Sequence, residues 1–202
     1  MIRPFGEAAL LVELESADLA QALAASLRRE PPPGMLESVP GLSSLLIELD
    51  PLTADPDVIS ALVERRIDGL DAAPPRGPLH TIPVAYDGPD LSDVAELTGL
   101  APSDVAGRHA STELRVLFCG FAPGFAYLGD LPAELRVERL STPRTRTPAG
   151  SVAIAGSMTG IYPADLPGGW RVIGHADAPL FDARRHPPAL LLPGDRVRFR
   201  PA

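Results

Sequence analysis

Two arginines, Arg144 and Arg146, lie two residues apart between two prolines in the segment Ser141–Ser157 (STPRTRTPAGSVAIAGS). Side chains alternate between the two faces of an extended strand, so both guanidinium groups are expected on the same face. Such a pair suits a carboxylate, a phosphate or a bicarbonate-like anion, because each guanidinium offers paired N–H donors. The alternative is a solvated arginine pair, or a structural salt bridge with Asp130 or Asp165.

A glycine-rich loop, Gly120–Asp130 (GFAPGFAYLGD), follows a predicted strand that ends at Cys119. Glycine allows a ligand to approach the backbone closely, and such a loop can offer N–H groups to an anion or an amide carbonyl. No Lys-Ser/Thr pair follows the glycines, which excludes a Walker A phosphate loop. A rigid corner packed by its own aromatic rings is the alternative. The candidate binding residues in this loop are Gly120, Phe121, Pro123, Gly124, Phe125 and Tyr127.

A third segment, Gly160–Trp170 (GIYPADLPGGW), contains Tyr162 and the only tryptophan of the chain. Tyrosine and tryptophan combine apolar area with a hydrogen-bonding tip, which suits a small-molecule pocket, a barrel core or a subunit interface equally well. Tyr162 and Trp170 are therefore candidate binding residues, as is Gly150 in the arginine segment.

The four histidines are scattered and form no HExxH pattern, so the sequence predicts no metal site. His109 lies at the end of a predicted helix, just before the strand that leads into the glycine loop. Histidine titrates near neutrality, so His109 is the candidate catalytic acid or base, although a structural role is the commoner one at a helix end. The single cysteine lies in an apolar, β-prone run, and no GxSxG motif is present, which disfavours a serine or cysteine hydrolase.

Composition excludes several further classes of protein. All 18 basic residues are arginines, so the chain has no P-loop lysine, no Schiff-base lysine and no biotinyl-lysine. A formal net charge of −8 argues against general nucleic-acid binding. One cysteine cannot form an internal disulfide. No apolar run approaches the roughly 20 residues of a membrane span, and the N-terminus lacks signal-peptide features, so we expect a cytoplasmic protein that does not bind a membrane.

The first part of the chain predicts a small domain at residues 1–78. A strand at 8–14 precedes a helix that Ser16 or Asp18 can cap, with leucines at i, i+4 spacing. Two extended segments, 35–39 and 43–49, precede a second helix with Asp55 as its cap, Pro56 at its first position and Val58 in its apolar stripe. The order of elements indicates a split βαβ, ferredoxin-like arrangement, with a last strand near Leu79–Val84 and a linker at 73–78.

The second part, residues 79–202, predicts two short helices and then a β-barrel. The helices cover 91–100, capped by Asp90, and about 103–110. Short β-prone runs separated by Gly and Pro clusters are typical of a closed or nearly closed barrel. The fold class is therefore α+β. The predicted strands are Leu114–Cys119, Val152–Ala155, Trp170–Ile173, Ala189–Leu192 and Val197–Phe199.

Six motifs follow one another between about Ile82 and Phe199, with His109 after the first: VAYDGPDLSDVAELTGL, GFAPGFAYLGDL, TPRTRTPAGSVAIAG, TGIYP, PGGW and LLPGDRVRF. In this order they closely resemble the family of KipI and the B component of 5-oxoprolinase, long labelled allophanate hydrolase subunit 1. FGEAALLVEL and VPGLSSLLIELDP extend the resemblance to the N-terminal part.

The resemblance implies a ferredoxin-like N-terminal domain and a cyclophilin-like β-barrel domain, a likeness of fold that does not imply prolyl isomerase activity. It also implies two partners, a KipA-like protein (the C component of 5-oxoprolinase) and an A component. Together these resemble the ATP-dependent enzyme that opens the lactam of 5-oxoproline to glutamate. ATP would then be bound somewhere in the assembled complex, with a small amide or lactam as substrate, and this chain would be inactive alone.

Two further functions stay open at this point. Some family members resemble inhibitors of a sporulation histidine kinase, which would make the chain a regulatory binding protein. The same two modules, fused, resemble the carboxyltransferase region of urea carboxylase, in which biotin is carried elsewhere. A KipA-like protein as partner favours the enzyme component, whereas a histidine kinase as sole partner favours the regulator.

Overall fold

A computed structural model of the chain describes residues 1–70 and 76–202, which form two units, Met1–Arg76 and Gly77–Ala202. The first three residues of the linker predicted at 73–78 lie outside the described residues. Within the described residues, no helix is long and apolar enough to cross a membrane.

The described residues of the N-terminal unit form four strands and two helices. They are β1 (Ile2–Pro4), β2 (Ala9–Glu13), α1 (Ala17–Arg29), β3 (Met35–Pro40), β4 (Ser44–Leu49) and α2 (Pro56–Asp68). The strands form an antiparallel sheet in the order β1-β2-β4-β3. Local signals determine where the helices begin. The Ser16 hydroxyl accepts a hydrogen bond from the Leu19 N–H, and the Asp55 carboxylate accepts from Asp57 and Val58 N–H.

This unit is ferredoxin-like, as predicted. However, the outer strand beside β2 is β1, at the N-terminal end of the unit, and not the strand predicted after its second helix. The prediction that Leu79–Val84 completes the sheet is wrong. β1 pairs with β2, and Leu79–Val84 becomes a strand of the second unit that pairs in parallel with Arg196–Pro201. The reason is burial, because Ile82 and Val84 pack into the core of the second unit. The apolar stripe predicted for α2 is also too wide, since Val58 is exposed.

The C-terminal unit is built on a seven-stranded sheet. Its strands are β5 (Leu79–Val84), β6 (Glu113–Cys119), β7 (Ala126–Gly129), β9 (Ser151–Ala155), β10 (Met158–Ile161), β12 (Arg171–His175) and β13 (Arg196–Pro201). They lie in the order β12-β9-β10-β7-β6-β13-β5. The outer strands are linked by a bridge in which Ala85 and His175 exchange two backbone hydrogen bonds of 2.8 and 2.9 Å. This nearly closes the sheet into a barrel, as predicted, and leaves little exposed edge.

Two α-helices, a short 3-10 helix (Ala133–Leu135) and a small second sheet complete this unit. The α-helices are α3 (Leu91–Thr98) and α4 (Pro102–Ser111), and β8 (Arg144–Thr147) pairs with β11 (Leu166–Gly168). α3 ends earlier than predicted, because Gly99 adopts a left-handed conformation with φ 69°. The strand predicted at Ala189–Leu192 is absent; only an isolated bridge joins Ala189 to Phe181. Pro187, Pro188 and Pro193 flank the predicted segment and lack N–H groups, so a strand cannot extend beyond it on either side.

Candidate functional site

The predicted aromatic residues come together around Phe125. Its ring contacts those of Phe121, Tyr127, Tyr162 and Trp170 edge to face, with centroid separations of 4.9 to 5.7 Å. This geometry places the positive edge of one ring against the negative face of the next, which is favourable. Two segments that are some 40 residues apart in sequence, 120–130 and 160–170, therefore form one cluster.

The glycine loop turns sharply to place Phe125. Phe121 and Gly124 have positive φ angles of 70° and 84°. A side chain on Gly124 would lie only 2.8 Å from the Phe181 Cβ, so the turn requires glycine there. The N–H groups of Gly120, Ala122 and Phe125 donate to carbonyls within the loop. Those three donors therefore stabilise the loop in this conformation and are not free for a ligand.

A small cavity of about 120 Å³ opens beside these rings, and we call it the aromatic pocket. Arg139 lies on its wall and forms no ion pair or hydrogen bond with any residue that the structure describes. Sequence reasoning missed Arg139, because it lies in a segment with no recognisable motif. The lining residues are Phe121, Phe125, Tyr127, Arg139, Tyr162, Pro167, Gly168, Gly169 and Trp170.

Most of the aromatic surface stabilises the barrel, and only part of it faces the pocket. Phe125, Tyr162 and Trp170 are buried in a cluster with residues of β9 and β12, whereas Phe121 is 57% exposed. Burial raises the pKa of the Tyr127 phenol, and the positive charge of Arg139 partly opposes this. Burial also raises the pKa of the Tyr162 phenol, so the side chains of Tyr127 and Tyr162 are both neutral hydroxyl groups near pH 7. The pocket combines ring edges, hydroxyl groups and one unpaired cation, which suits a small organic acid.

Arg144 and Arg146 are each paired with a different carboxylate. The Arg144 guanidinium donates to Asp90 Oδ1 at 2.6 Å, and the other Asp90 oxygen accepts from the Val172 N–H at 2.7 Å. Asp90, predicted to cap α3, forms no side-chain cap hydrogen bond. Arg146 donates through Nε to Asp165 at 2.9 Å and also through Nη2. This is the structural salt bridge named above as the alternative for Arg146.

The environment of Asp165 supports that pairing. The Ala149 N–H and then the Arg146 guanidinium hold the pKa of this carboxyl below its usual value. Arg146 lines neither the aromatic pocket nor the second pocket described next. The ion pair with Asp90 was not predicted, because Asp90 and Arg144 are 54 residues apart in the sequence.

A second cavity, of about 210 Å³, shares no lining residue with the aromatic pocket. We call it the Ser151 pocket. The first and third motifs of the sequence meet in it, because residues of VAYDGPDL face residues of TPRTRTPAGSV across β12. Its lining residues are Asp87, Gly88, Pro89, Arg144, Pro148, Ser151, Val172, Gly174 and His175.

His109 lies in neither pocket; it is fully buried in the barrel core. The Thr159 hydroxyl donates to the Ala153 carbonyl at 2.9 Å, so its oxygen accepts from the His109 Nε2–H at 2.9 Å. The other ring nitrogen, Nδ1, then accepts from the Tyr86 hydroxyl at 2.8 Å. Burial lowers the pKa of His109 to about 3, and the ring is therefore neutral at pH 7.

Among the residues that the structure describes, the remaining candidate groups form no metal site, and the one cysteine is not a reactive thiol. Within residues 1–70 and 76–202, no three His, Cys, Asp or Glu side chains are grouped so as to hold a metal ion. Cys119 is free and partly buried, and its thiol donates weakly to the Leu191 carbonyl at 3.6 Å. Burial, helped by the negative charge of Asp195, raises the pKa of this thiol to about 11. Cys119 is therefore a protonated, unreactive thiol at neutral pH.

Comparison with protein families gives a match over residues 1–191 to the carboxyltransferase domain, subdomain C and D. The chain belongs to this family. It is 41% identical to the B subunit of 5-oxoprolinase from Escherichia coli O157:H7, over 97% of this chain and 93% of that protein. It is 34% identical to the B subunit of 5-oxoprolinase from Bacillus subtilis (strain 168), over 98% of this chain and 91% of that one.

Solved structures agree with this fold. The crystal structure of TTHA0988 superposes with a TM-score of 0.84 at 39% identity, covering 100% of this chain and 40% of that one. The chain therefore spans about two fifths of the length of that protein. The urea carboxylase of Kluyveromyces lactis gives a TM-score of 0.77 at 21% identity, covering 100% of this chain and 21% of that one. At that identity, the likeness shows the fold alone.

Proposed function

We propose that this chain is the B-type subunit of an ATP-dependent 5-oxoprolinase complex, which opens the lactam ring of 5-oxoproline to give glutamate. The observation that carries the proposal is the similarity to two proteins named as the B subunit of 5-oxoprolinase, over 97% and 98% of the chain. Such coverage leaves no large part of this chain outside the relationship. Co-expression with the other components, followed by an assay of ATP-dependent glutamate release, tests the proposal.

The aromatic pocket has the chemistry that this function needs. 5-Oxoproline is a small five-membered lactam with one carboxylate. Its ring matches the apolar edges of Phe125 and Trp170, and its carboxylate matches the unpaired guanidinium of Arg139. An anion bound beside aromatic walls is partly shielded from water, which strengthens a charge-assisted hydrogen bond. Arg139 thus takes the anion-binding role that the sequence suggested for Arg144 and Arg146.

The complex supplies what this chain lacks. The sequence has no lysine and no P-loop, and the described residues contain no grouped metal ligands. We therefore propose that a KipA-like C component and an A component complete the catalytic site and bind ATP, and that the chain alone is inactive. The exposed ring of Phe121 at the mouth of the pocket is the kind of aromatic anchor that subunit interfaces use.

A second candidate function is carboxyl transfer. It is favoured by the family description, a carboxyltransferase domain that matches residues 1–191. A carboxyl acceptor such as a urea-derived group would then replace the lactam as substrate. The curated relatives favour the lactam, because they are named for it and are matched over almost their full length.

Replacing Arg139 with alanine should raise the KM for 5-oxoproline in the assembled complex roughly tenfold or more, the effect of losing a charge-assisted hydrogen bond. Lysine at this position should recover part of the loss, because it restores the charge but not the paired N–H donors. Steady-state kinetics of the complex give both values.

The matched control is Arg146→Ala, since Arg146 is also exposed but is paired with Asp165 outside both pockets. We expect it to leave KM close to the wild-type value. Equal KM values for wild type and Arg139→Ala would exclude Arg139 from substrate binding, while the place of the chain in the enzyme would still stand on the assay of the complex.

A further inference from the structure

A third cavity of the C-terminal unit, of about 460 Å³, has three arginines on its walls, Arg136, Arg139 and Arg171. We call it the arginine groove. Arg136 and Arg139 lie in the segment before β8, and Arg171 is the first residue of β12. The chain as a whole carries a formal charge of −8, so most of its surface repels anions. Three guanidinium groups around one cavity are a local exception, which favours an anionic ligand.

Backbone contacts hold the segment 136–141 against the barrel. Val137 is buried, and its C=O accepts a hydrogen bond of 2.7 Å from the Gly156 N–H. The Leu140 N–H donates to the Gly169 C=O, also at 2.7 Å. The exposed arginines of this segment therefore project from a backbone whose position is fixed by the neighbouring strands.

Two of the three guanidinium groups are oriented by backbone carbonyls. Arg136 Nε donates to the Leu131 C=O, and Arg171 Nε donates to the Glu138 C=O, each at 3.1 Å. The Nη groups of both arginines form no hydrogen bond with any residue that the structure describes. The Asp93 carboxylate stays 3.7 Å from Arg171 Nη1 and is itself 61% exposed. The two Nη ends are thus held in place yet available, so little side-chain entropy is lost when a ligand binds them.

The number of donors and the balance of charge indicate which anion fits. The Nη groups of two arginines, the whole guanidinium of Arg139 and the hydroxyl of Ser141 line the groove. A carboxylate has only two oxygens to accept from them, whereas a phosphate group has at least three. The described lining residues include one carboxylate, that of Glu138, against three guanidinium groups. The remaining positive charge matches a doubly charged phosphate better than a singly charged anion.

We propose that the arginine groove binds a phosphate group, either as free phosphate or as the monoester of a small organic molecule. The phosphate oxygens accept hydrogen bonds from the Nη groups of Arg136 and Arg171 and from the guanidinium of Arg139. Leu97, which is 58% exposed and lines the groove, offers an apolar contact to the organic part of a monoester. The assignment does not depend on the proposed function, because it needs no ligand in the aromatic pocket.

Titration of the ¹⁵N-labelled full chain with inorganic phosphate and with glycerol 3-phosphate, at constant low ionic strength, tests this site. The backbone amide resonances of residues 136–141 should shift saturably. Arg136→Ala and Arg171→Ala should each weaken binding roughly tenfold, the effect of losing a charge-assisted hydrogen bond. Glu138→Gln should strengthen binding about 2- to 5-fold, because it removes a like charge. Tighter binding of glycerol 3-phosphate would identify the ligand as an organic monoester, and equal binding as free phosphate.

Arg200→Ala is the matched control, because it removes the same charge from an exposed arginine of β13 that does not line the groove. It should bind phosphate like the wild type. The proposal is overturned if no saturable shift occurs, if Arg136→Ala or Arg171→Ala binds phosphate as tightly as the wild type, or if Arg200→Ala loses as much affinity as they do. Acetate binding as tightly as phosphate would also overturn it. Backbone spectra verify that each variant is folded, and failure here would leave the proposed function standing, since the test uses no lactam.

Discussion

Lowering the pH from 6.5 towards 3 should remove up to roughly 5 kcal/mol of stability through His109 alone. Its pKa is about 3 in the folded chain, against an ordinary value of 6.5. Between these values the unfolded chain binds a proton that the folded chain does not. The contribution of His109 to the free energy of unfolding is therefore fully present above pH 6.5 and is lost as the pH falls towards 3. The cause is burial, because both ring nitrogens are already hydrogen-bonded to neutral groups.

Denaturant unfolding of the wild type and of His109→Gln at several pH values measures this effect. Glutamine does not titrate, so the variant should lose about 3 kcal/mol less than the wild type between pH 6.5 and 4. The variant is expected to be less stable at pH 7, since it loses the stacking of His109 on Phe199. The deciding quantity is therefore the difference between the two proteins in the slope of the free energy of unfolding against pH. Parallel pH profiles would contradict a neutral, buried His109.

Replacing Asp90 with alanine should destabilise the chain by about 3–5 kcal/mol, as expected when one partner of a buried charged network is removed. Asp90 is buried and joins the Arg144 guanidinium to the Val172 N–H of β12. Without the carboxylate, that N–H and much of the arginine charge lack a partner. Asp90→Asn keeps an acceptor for the N–H, so its effect should be intermediate.

Asp165→Ala is the control for this change. Asp165 pairs with Arg146 in the same segment, but the side chains of Arg146 and Asp165 are 75% and 44% exposed. Exposed ion pairs contribute little, so a much smaller loss of stability is expected. Chemical denaturation of all three variants gives the comparison. Equal losses for Asp90→Ala and Asp165→Ala would show that burial does not decide the strength of these two pairs.

The sequence predicted best the features that depend on neighbouring residues. Both helices of the N-terminal unit begin at the predicted caps, Ser16 and Asp55, because a cap needs only its own first turn. Repeated apolar positions likewise identified β6, β9 and β13. The strand with which each strand pairs could not be predicted in this way. Nothing local to Leu79–Val84 distinguishes an edge of the first sheet from an edge of the barrel.

The extended conformation of β8 was expected from its two arginines, but its pairing partner, β11, was missed for a related reason. β11 contains only leucine, proline and glycine, so it lacks the alternation that marks a strand. Both are strands because they pair with each other. Tertiary pairing, which no short window of sequence contains, therefore decides their conformation.

In the candidate site, too, the features that depend on neighbouring residues were predicted, and those that depend on distant residues were not. The clustering of Phe125, Tyr162 and Trp170 follows from aromatic residues placed on glycine- and proline-rich turns, and the sequence marked them. The roles of the arginines depend on distant partners. Arg144 is paired by Asp90, whereas Arg139 lies at the pocket and forms no ion pair with any residue that the structure describes, and both facts arise from contacts made only in the folded barrel.

Reconstitution tests the central claim most directly. The chain is co-expressed and co-purified with a KipA-like C component and an A component, and glutamate formed from 5-oxoproline is measured with and without ATP. We predict ATP-dependent glutamate release by the complete complex, none by this chain alone, and none when this chain is omitted. Equal release without this chain, or a histidine kinase as its sole stable partner, would contradict its assignment to the enzyme.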